Sequence, residues 1–167
     1  VTTRSDVDLD RHVYGDPSAR VTVVEYGDFE CPYCAAAAPE LRKLVDSSDG
    51  SIRLVFRHFP LFTIHPYALT AALAAEASGE RFWAMHDLLL THQTKLTDAH
   101  LRTYATRIGA GDVTGEAAQQ FRPAVVADYT SGAELDVRGT PTLFINGRAY
   151  RGRVSFQALR SAVRPTG

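Results

Sequence analysis

Two cysteines, Cys31 and Cys34, stand one helical turn apart in this sequence, and the chain has no others. A bridge between them would close a very small loop and would restrict the unfolded chain little, so the pair points to chemistry rather than architecture. The residues just before it, Val21-Thr-Val-Val-Glu-Tyr26, are largely β-branched and nearly continuous in apolar character. Such a run fits a central strand buried on both faces. After a short connection, Gly27 to Glu30, a helix is expected from about Cys31 to Val45. Pro32 sits in its first turn, where a missing N–H costs nothing. A sulfur at a helix N-terminus faces unpaired N–H groups and the positive end of the helix dipole. Both favour the thiolate, which is the nucleophile of disulfide exchange. The pattern assigns Cys31 as an exposed attacking sulfur and Cys34 as a shielded resolving one.

Two other uses of the pair are weighed. Zinc takes about four ligands, and the sequence has neither a second cysteine pair nor a His-x-x-x-His type pair at finger spacing from this one. Two inert core thiols fit poorly with a placement between a buried strand and a Pro-initiated helix. No metal is therefore assigned.

The elements that must position the pair follow from patterning. Residues 1–20 read as a polar lead-in with a turn at Gly15-Asp16-Pro17. Pro39 is expected to kink the first helix, and Ser47 to Gly50 ends it. Ile52 to His58 reads as a second strand, giving a parallel βαβ unit. Four helical stretches follow: Pro66 to Ser78, Glu80 to His92, Thr97 to Ile108, and Glu116 to Leu135 broken or bent at Pro123. Strand character returns at Thr142 to Asn146, Asn146-Gly147 is a strong hairpin signal, and Arg148 to Arg151 can pair back. Ser155 is placed to cap a last helix over Phe156 to Val163.

Composition excludes several classes. The 167 residues suit one domain of ordinary size, with 45% hydrophobic and 22% charged residues. A net charge of -1 offers no bulk attraction for nucleic acid or an anionic membrane. No stretch approaches the ~18 apolar residues of a membrane span, so membrane insertion is not expected. The first residues contain no apolar leader, which favours the cytoplasm; a leader already removed would place the protein outside it.

A second candidate element is Gly139-Thr140-Pro141-Thr142, just before the third core strand. Read alone, Pro141 is an ordinary trans loop proline or a cis proline that exposes the backbone of Thr140. Four blocks now align with one known pattern: Tyr26 to Cys34, Phe56 to Leu61, Phe82 to His86, and Gly139 to Gly147. Together they resemble the DsbA-like branch of the thioredoxin superfamily over about residues 12–163. The chain is especially similar to bacterial DsbA-type domains found alone or fused to NhaA-type sodium/proton antiporters. The resemblance implies an α/β thioredoxin-like fold with an inserted all-helical domain. Residues 1–64 and 134–167 would form the thioredoxin-like part and residues 65–133 the insertion. It implies that Pro141 is the family's cis-proline, with Thr140 beside it binding substrate.

By the same resemblance Glu25, otherwise read as a strand-end carboxylate facing water, is the buried acid that moves a proton at the resolving cysteine. Arg57 reads either as its countercharge or as a solvated strand residue. Tyr33 is expected to be exposed beside the sulfurs, and Phe29 to pack. Trp83 reads as core of the helical insertion. His58, His65, His86, His92 and His100 are given no chemistry. Asp28 and Glu30 are expected to raise the Cys31 pKa slightly. The active-site dipeptide Pro32-Tyr33 departs from the Pro-His of strong DsbA oxidases and matches glutaredoxins, which implies a weaker oxidant.

The implied activity is disulfide exchange with protein or peptide thiols, in the direction of dithiol oxidation. It needs a redox-recycling partner and no bound cofactor, since the cysteine pair is itself the redox group. A disulfide reductase or glutathione-linked activity is the alternative within enzymes. A non-catalytic redox-sensing module attached to a transporter is the alternative outside them.

Overall fold

The computed structural model describes residues 7–164. The first six residues of the polar lead-in, and 165–167 at the far end of the expected thioredoxin-like part, lie outside the described residues. Strand β1 is Val13–Tyr14, β2 is Val21–Gly27, helix α1 is Pro32–Asp46 and β3 is Ile52–His58. Helices α2 Ala68–Ala77, α3 Phe82–Thr91, α4 Asp98–Ile108, α5 Gly115–Gln119 and α6 Arg122–Glu134 follow, with a single 3-10 turn at Gly79–Arg81. The chain closes with β4 Thr142–Ile145, β5 Arg148–Tyr150 and α7 Phe156–Val163. The sheet order is β1-β3-β2-β4-β5, with β2 and β3 parallel and the other pairs antiparallel. This mixed sheet with flanking helices is the thioredoxin-like fold expected from the motif blocks.

Strand β2 is central, and its residues from Val23 onward are buried. Alternation sends Val23 to one face, where it packs with Leu41, Leu44, Leu54, Leu143 and Leu159 under α1 and α7. Val24 and Tyr26 point to the other, joining Val55, Phe59 and Phe144. A third cluster fills the space between the start of α1 and helices α2 to α4; it contains Phe29, both cysteines, Phe56, Met85 and Leu89. The redox pair is thus set into a packed seam, and removing its helical cover would expose that seam.

Local chemistry accounts for the turns. Asn146 and Gly147 both have positive φ, 47° and 80°, as a two-residue hairpin with the right twist requires. Ser155 caps α7 by accepting from the Ala158 N–H. Gly109 ends α4 in the left-handed conformation.

Three expectations are corrected. The lead-in contains β1, which pairs Val13 with Val55 and Tyr14 with Leu54; two residues are too few to show alternation in sequence. The last long stretch is broken, as one of its two readings has it, but the break falls ahead of Pro123, between α5 and α6; Pro123 lies in the first turn of α6, where proline starts a helix. Arg57 is neither solvated nor paired with Glu25. It is 1% exposed and bonds the carbonyls of Phe56, Asp8 and Arg11. Period-two alternation explains this, because Arg57 aligns with Tyr26 while Glu25 aligns with Phe56 and so faces the opposite side.

Candidate active site

Cys31 occupies the N-cap of α1 in an extended conformation, and Pro32 is the first helical residue. No side chain caps this helix end. The Cys31 carbonyl accepts from the N–H groups of Cys34 and Ala35, at 3.1 and 3.2 Å, and its own N–H donates to the Asp28 carbonyl at 3.1 Å. Pro32 has no N–H to offer, so the sulfur faces the amides of Tyr33 and Cys34 at the start of the helix. Its pKa is pulled from 9.0 to about 5. The hydrogen bond from the Cys34 thiol is the largest cause; burial opposes it, while the Thr140 side chain and the amides of Cys34 and Tyr33 add to it. Cys34 moves the other way: the same bond, burial and the negative charge of Glu25 push its thiol far up. Both are free thiols, so this is the reduced site.

The expected exposure of Cys31 is corrected. Cys31 is 3% exposed and Cys34 1%, while Tyr33 is 73% exposed. The dipeptide faces solvent and the sulfurs lie beneath it. The cover over Cys31 is the loop before β4, whose Thr140 carbonyl accepts from the Cys31 thiol at 3.4 Å. The Thr140-Pro141 peptide in that loop is cis.

Glu25 lies under the pair from the middle of β2, opposite Phe56 on β3 and Leu143 on β4. It is 1% exposed, and its Oε1 has no hydrogen-bond partner. Burial first, and then the negative charge of Cys31, raise its pKa from 4.5 to about 8; Arg42 pulls weakly the other way. A carboxyl in that state is protonated at neutral pH and stands ready to give or take a proton. The structure therefore brings together Cys31, Cys34, Pro32, Tyr33, Glu25, Thr140 and Pro141.

Residues without a sequence signal complete the site. Gln93, just past α3, donates to the carbonyls of Phe29 and Cys31, at 2.9 and 2.8 Å. Asp28 is buried, and its carboxylate accepts from the N–H groups of Glu30 and Leu61 and from His65. His65 thus joins the site, although no pattern in its surroundings along the chain separates it from the other histidines. Only the fold brings residues so far apart in sequence into contact. Gln93→Ala leaves the Phe29 carbonyl without its donor and removes one of three donors to the Cys31 carbonyl, and is expected to lower stability by about 1–2 kcal/mol in urea melts. It should also slow disulfide exchange a few-fold, because the loop that leads into Cys31 loses its tie to the end of α3.

Among the described residues one trio has metal-ligating atoms within 4.8 Å of one another: His12, His58 and Glu76. These atoms bond each other. Glu76 Oε1 is 2.5 Å from His12 Nε2 and 2.8 Å from His58 Nε2, with Arg11 Nε at 3.6 Å. His58 Nδ1 is buried and unpartnered. A metal at Nε2 would need a proton on Nδ1, and that proton would have no acceptor. The trio ties the lead-in to α2 instead, with His58 a buried partner of Glu76 at the end of β3. Trp83, half-buried, does similar work. It donates to the Val13 carbonyl, and Arg42 of α1 lies over its ring.

Comparison with known proteins adds three findings. A sequence model of the family described as Thioredoxin matches residues 8–164. An Na(+)/H(+) antiporter NhaA 1 of Salinispora arenicola is 51% identical over 163 residues, which is 94% of this chain and 25% of that protein. The chain thus spans about a quarter of the length of the curated relatives it matches. Two solved structures superpose well. A thioredoxin-like oxidoreductase from Silicibacter pomeroyi does so with TM-score 0.76 at 28% identity, covering 90% of this chain and 88% of that one. The thiol-disulfide exchange protein alpha-DsbA2 from Wolbachia pipientis gives TM-score 0.80 at 25% identity, covering 93% and 87%. Among the described residues no helix is long and apolar enough to cross a membrane.

Proposed function

Because the chain belongs to the thioredoxin family, we propose that it is a DsbA-like protein dithiol oxidase working through Cys31-Pro32-Tyr33-Cys34. One observation carries the reading. Cys31 sits at the N-cap of α1, where the Cys34 thiol and the first amides of the helix favour its thiolate. That stabilisation exists only in the reduced protein. Stabilising the reduced form raises the reduction potential and makes the disulfide an oxidant.

The cycle balances as follows. A substrate thiolate attacks Cys31 Sγ of the disulfide form; a substrate–Cys31 bond forms, the Cys31–Cys34 bond breaks, and Cys34 leaves as a thiolate. Glu25, protonated at neutral pH, gives Cys34 its proton and recovers one from solvent. The second substrate thiolate attacks the first substrate sulfur, the substrate disulfide forms, and Cys31 leaves as the stabilised thiolate. Two electrons have passed from the substrate dithiol to the cysteine pair. A recycling partner bearing a disulfide or equivalent oxidant removes them, and no bound cofactor is required. Thr140 and Pro141 would hold an extended substrate segment through backbone hydrogen bonds, with Tyr33 flanking it.

A second reading rests on the quarter-length match to antiporters: a redox module attached to a transporter, switching without turnover. Mixing the oxidised protein with a reduced dithiol peptide separates the readings. The oxidase reading expects one peptide disulfide per cysteine pair, and many when glutathione disulfide is supplied. Faster reduction of a disulfide substrate than oxidation of a dithiol would favour a reductase, and single turnover under all conditions would favour the sensor.

A further inference from the structure

Asp28 bonds both cysteines and also reaches the chain that leads into α2. Its carbonyl accepts from the Cys31 N–H at 3.1 Å, and its own N–H donates to Cys34 Sγ at 3.5 Å. Its carboxylate, 2.8 Å from His65 Nδ1, also accepts from the N–H groups of Leu61 and Glu30. That side chain is fully buried, so its charge is poorly screened by solvent. Left alone, a buried carboxylate in this position opposes a thiolate on Cys31. Of the groups that bond it, only His65 can carry a positive charge.

We propose that His65, acting through Asp28, is a positioning residue that sets the charge felt by the Cys31–Cys34 pair. The inference rests on the exchange reading of that pair and assigns His65 a role in it. The protonated ring neutralises Asp28 and fastens the loop from Asp28 to Cys31 against the start of the helical segment. The neutral ring can still donate from Nδ1, so the loop stays in place while the Asp28 charge goes uncompensated. Geometry and proton equilibrium are thereby separated: the clamp persists and the charge titrates.

The surroundings of the ring suit this role. Its side chain is 21% exposed, so protons exchange with solvent. Three acidic groups face it: Asp28, Glu30, whose carboxylate is fastened to the Tyr67 N–H, and Cys31 itself. Burial works against the protonated ring, but these groups outweigh it and hold its pKa above the ordinary histidine value. The active-site dipeptide carries no cation, since neither proline nor tyrosine can hold a positive charge, and Tyr33 is turned to solvent. The compensating charge comes from another element of the fold.

Linkage makes the proposal testable without turnover. A thiolate that is favoured by the imidazolium favours the imidazolium by the same factor. Forming the disulfide removes the thiolate, so His65 should release its proton more readily in the oxidised protein. An NMR titration of the His65 ring in both redox forms reads this directly. The expected midpoint is lower in the oxidised form by about 0.5–1 pH unit, a three- to tenfold change in proton affinity. His65→Gln keeps a donor for Asp28 and loses the charge. Its Cys31 thiolate midpoint, read by absorbance, is expected to rise by a similar factor. Equal His65 midpoints in the two redox forms would overturn the proposal, and this holds even if His65→Gln fails to fold. A protein that exchanges no disulfides but shows the linked shift would instead sink the oxidase reading and leave His65 in its role.

Discussion

Cys31→Ser is expected to abolish disulfide exchange, whereas Cys34→Ser is expected to keep the attack and stop at a mixed disulfide. The asymmetry follows from the two sulfurs' surroundings. Cys31 has its pKa drawn down to about 5, so at neutral pH it is almost wholly thiolate. Cys34 is pushed far above its ordinary value and is almost wholly thiol. Only a thiolate attacks. Cys31→Ser therefore removes the one competent nucleophile, and residual activity should fall at least about a thousandfold, to the background of a buried, protonated thiol. In Cys34→Ser the attack remains, but nothing inside the protein can displace the substrate. The adduct should accumulate one-to-one and be visible by mass. Cys34→Ser also removes the largest support of the Cys31 thiolate, so its attack should slow at pH 6 more than at pH 8. Normal turnover by Cys34→Ser, or a trapped adduct in Cys31→Ser, would reverse the assignment.

The reduced protein should resist urea better than the oxidised one near pH 7, and the margin should disappear in acid. A group whose folded pKa is depressed adds stability above its unfolded pKa, and that stability is lost as pH falls through the folded value. For Cys31 the window runs from about 9 down to about 5. The gain at pH 7 should be about 1–2 kcal/mol, after allowance for solvent screening at a helix end. Glu25 works in the opposite sense. Its folded pKa is raised to about 8, so its contribution is fully present below 4.5 and is lost as pH rises through 8. The burial part of that loss is common to both redox forms and cancels between them. Urea melts of both forms at pH 5, 7 and 8.5 test the pattern. Glu25→Gln should remove most of the alkaline loss from both forms while slowing the step that needs a proton at Cys34.

Much of the positioning frame was legible. The apolar run before the cysteines, the Pro32 helix start and the Asn146-Gly147 hairpin are local signals, and local physics forms β2, α1 and the β4–β5 turn. The motif blocks supplied the fold and drew Glu25 and Pro141 into the site. What stayed hidden depends on contacts between distant residues. Arg57 reads like a solvated strand residue, yet it is buried because carbonyls of the lead-in fold over it. Cys31 sits at a helix start that would face solvent, were it not for the loop before β4. Gln93 and His65 look like ordinary polar residues of helices and loops. Their roles come from where α2 and α3 lie against the cysteine loop, which no periodicity encodes.

The most direct measurement is the reduction potential of the Cys31–Cys34 pair, read by equilibration with glutathione buffers at pH 7. A Cys31 pKa of about 5 lies between the ~7 of thioredoxin and the ~3.5 of the strongest oxidases. The potential should fall correspondingly between them, at roughly −240 to −150 mV. A value at or below the ~−270 mV of thioredoxin, together with an unshifted Cys31 thiol, would contradict dithiol oxidation and identify the pair as a reductant.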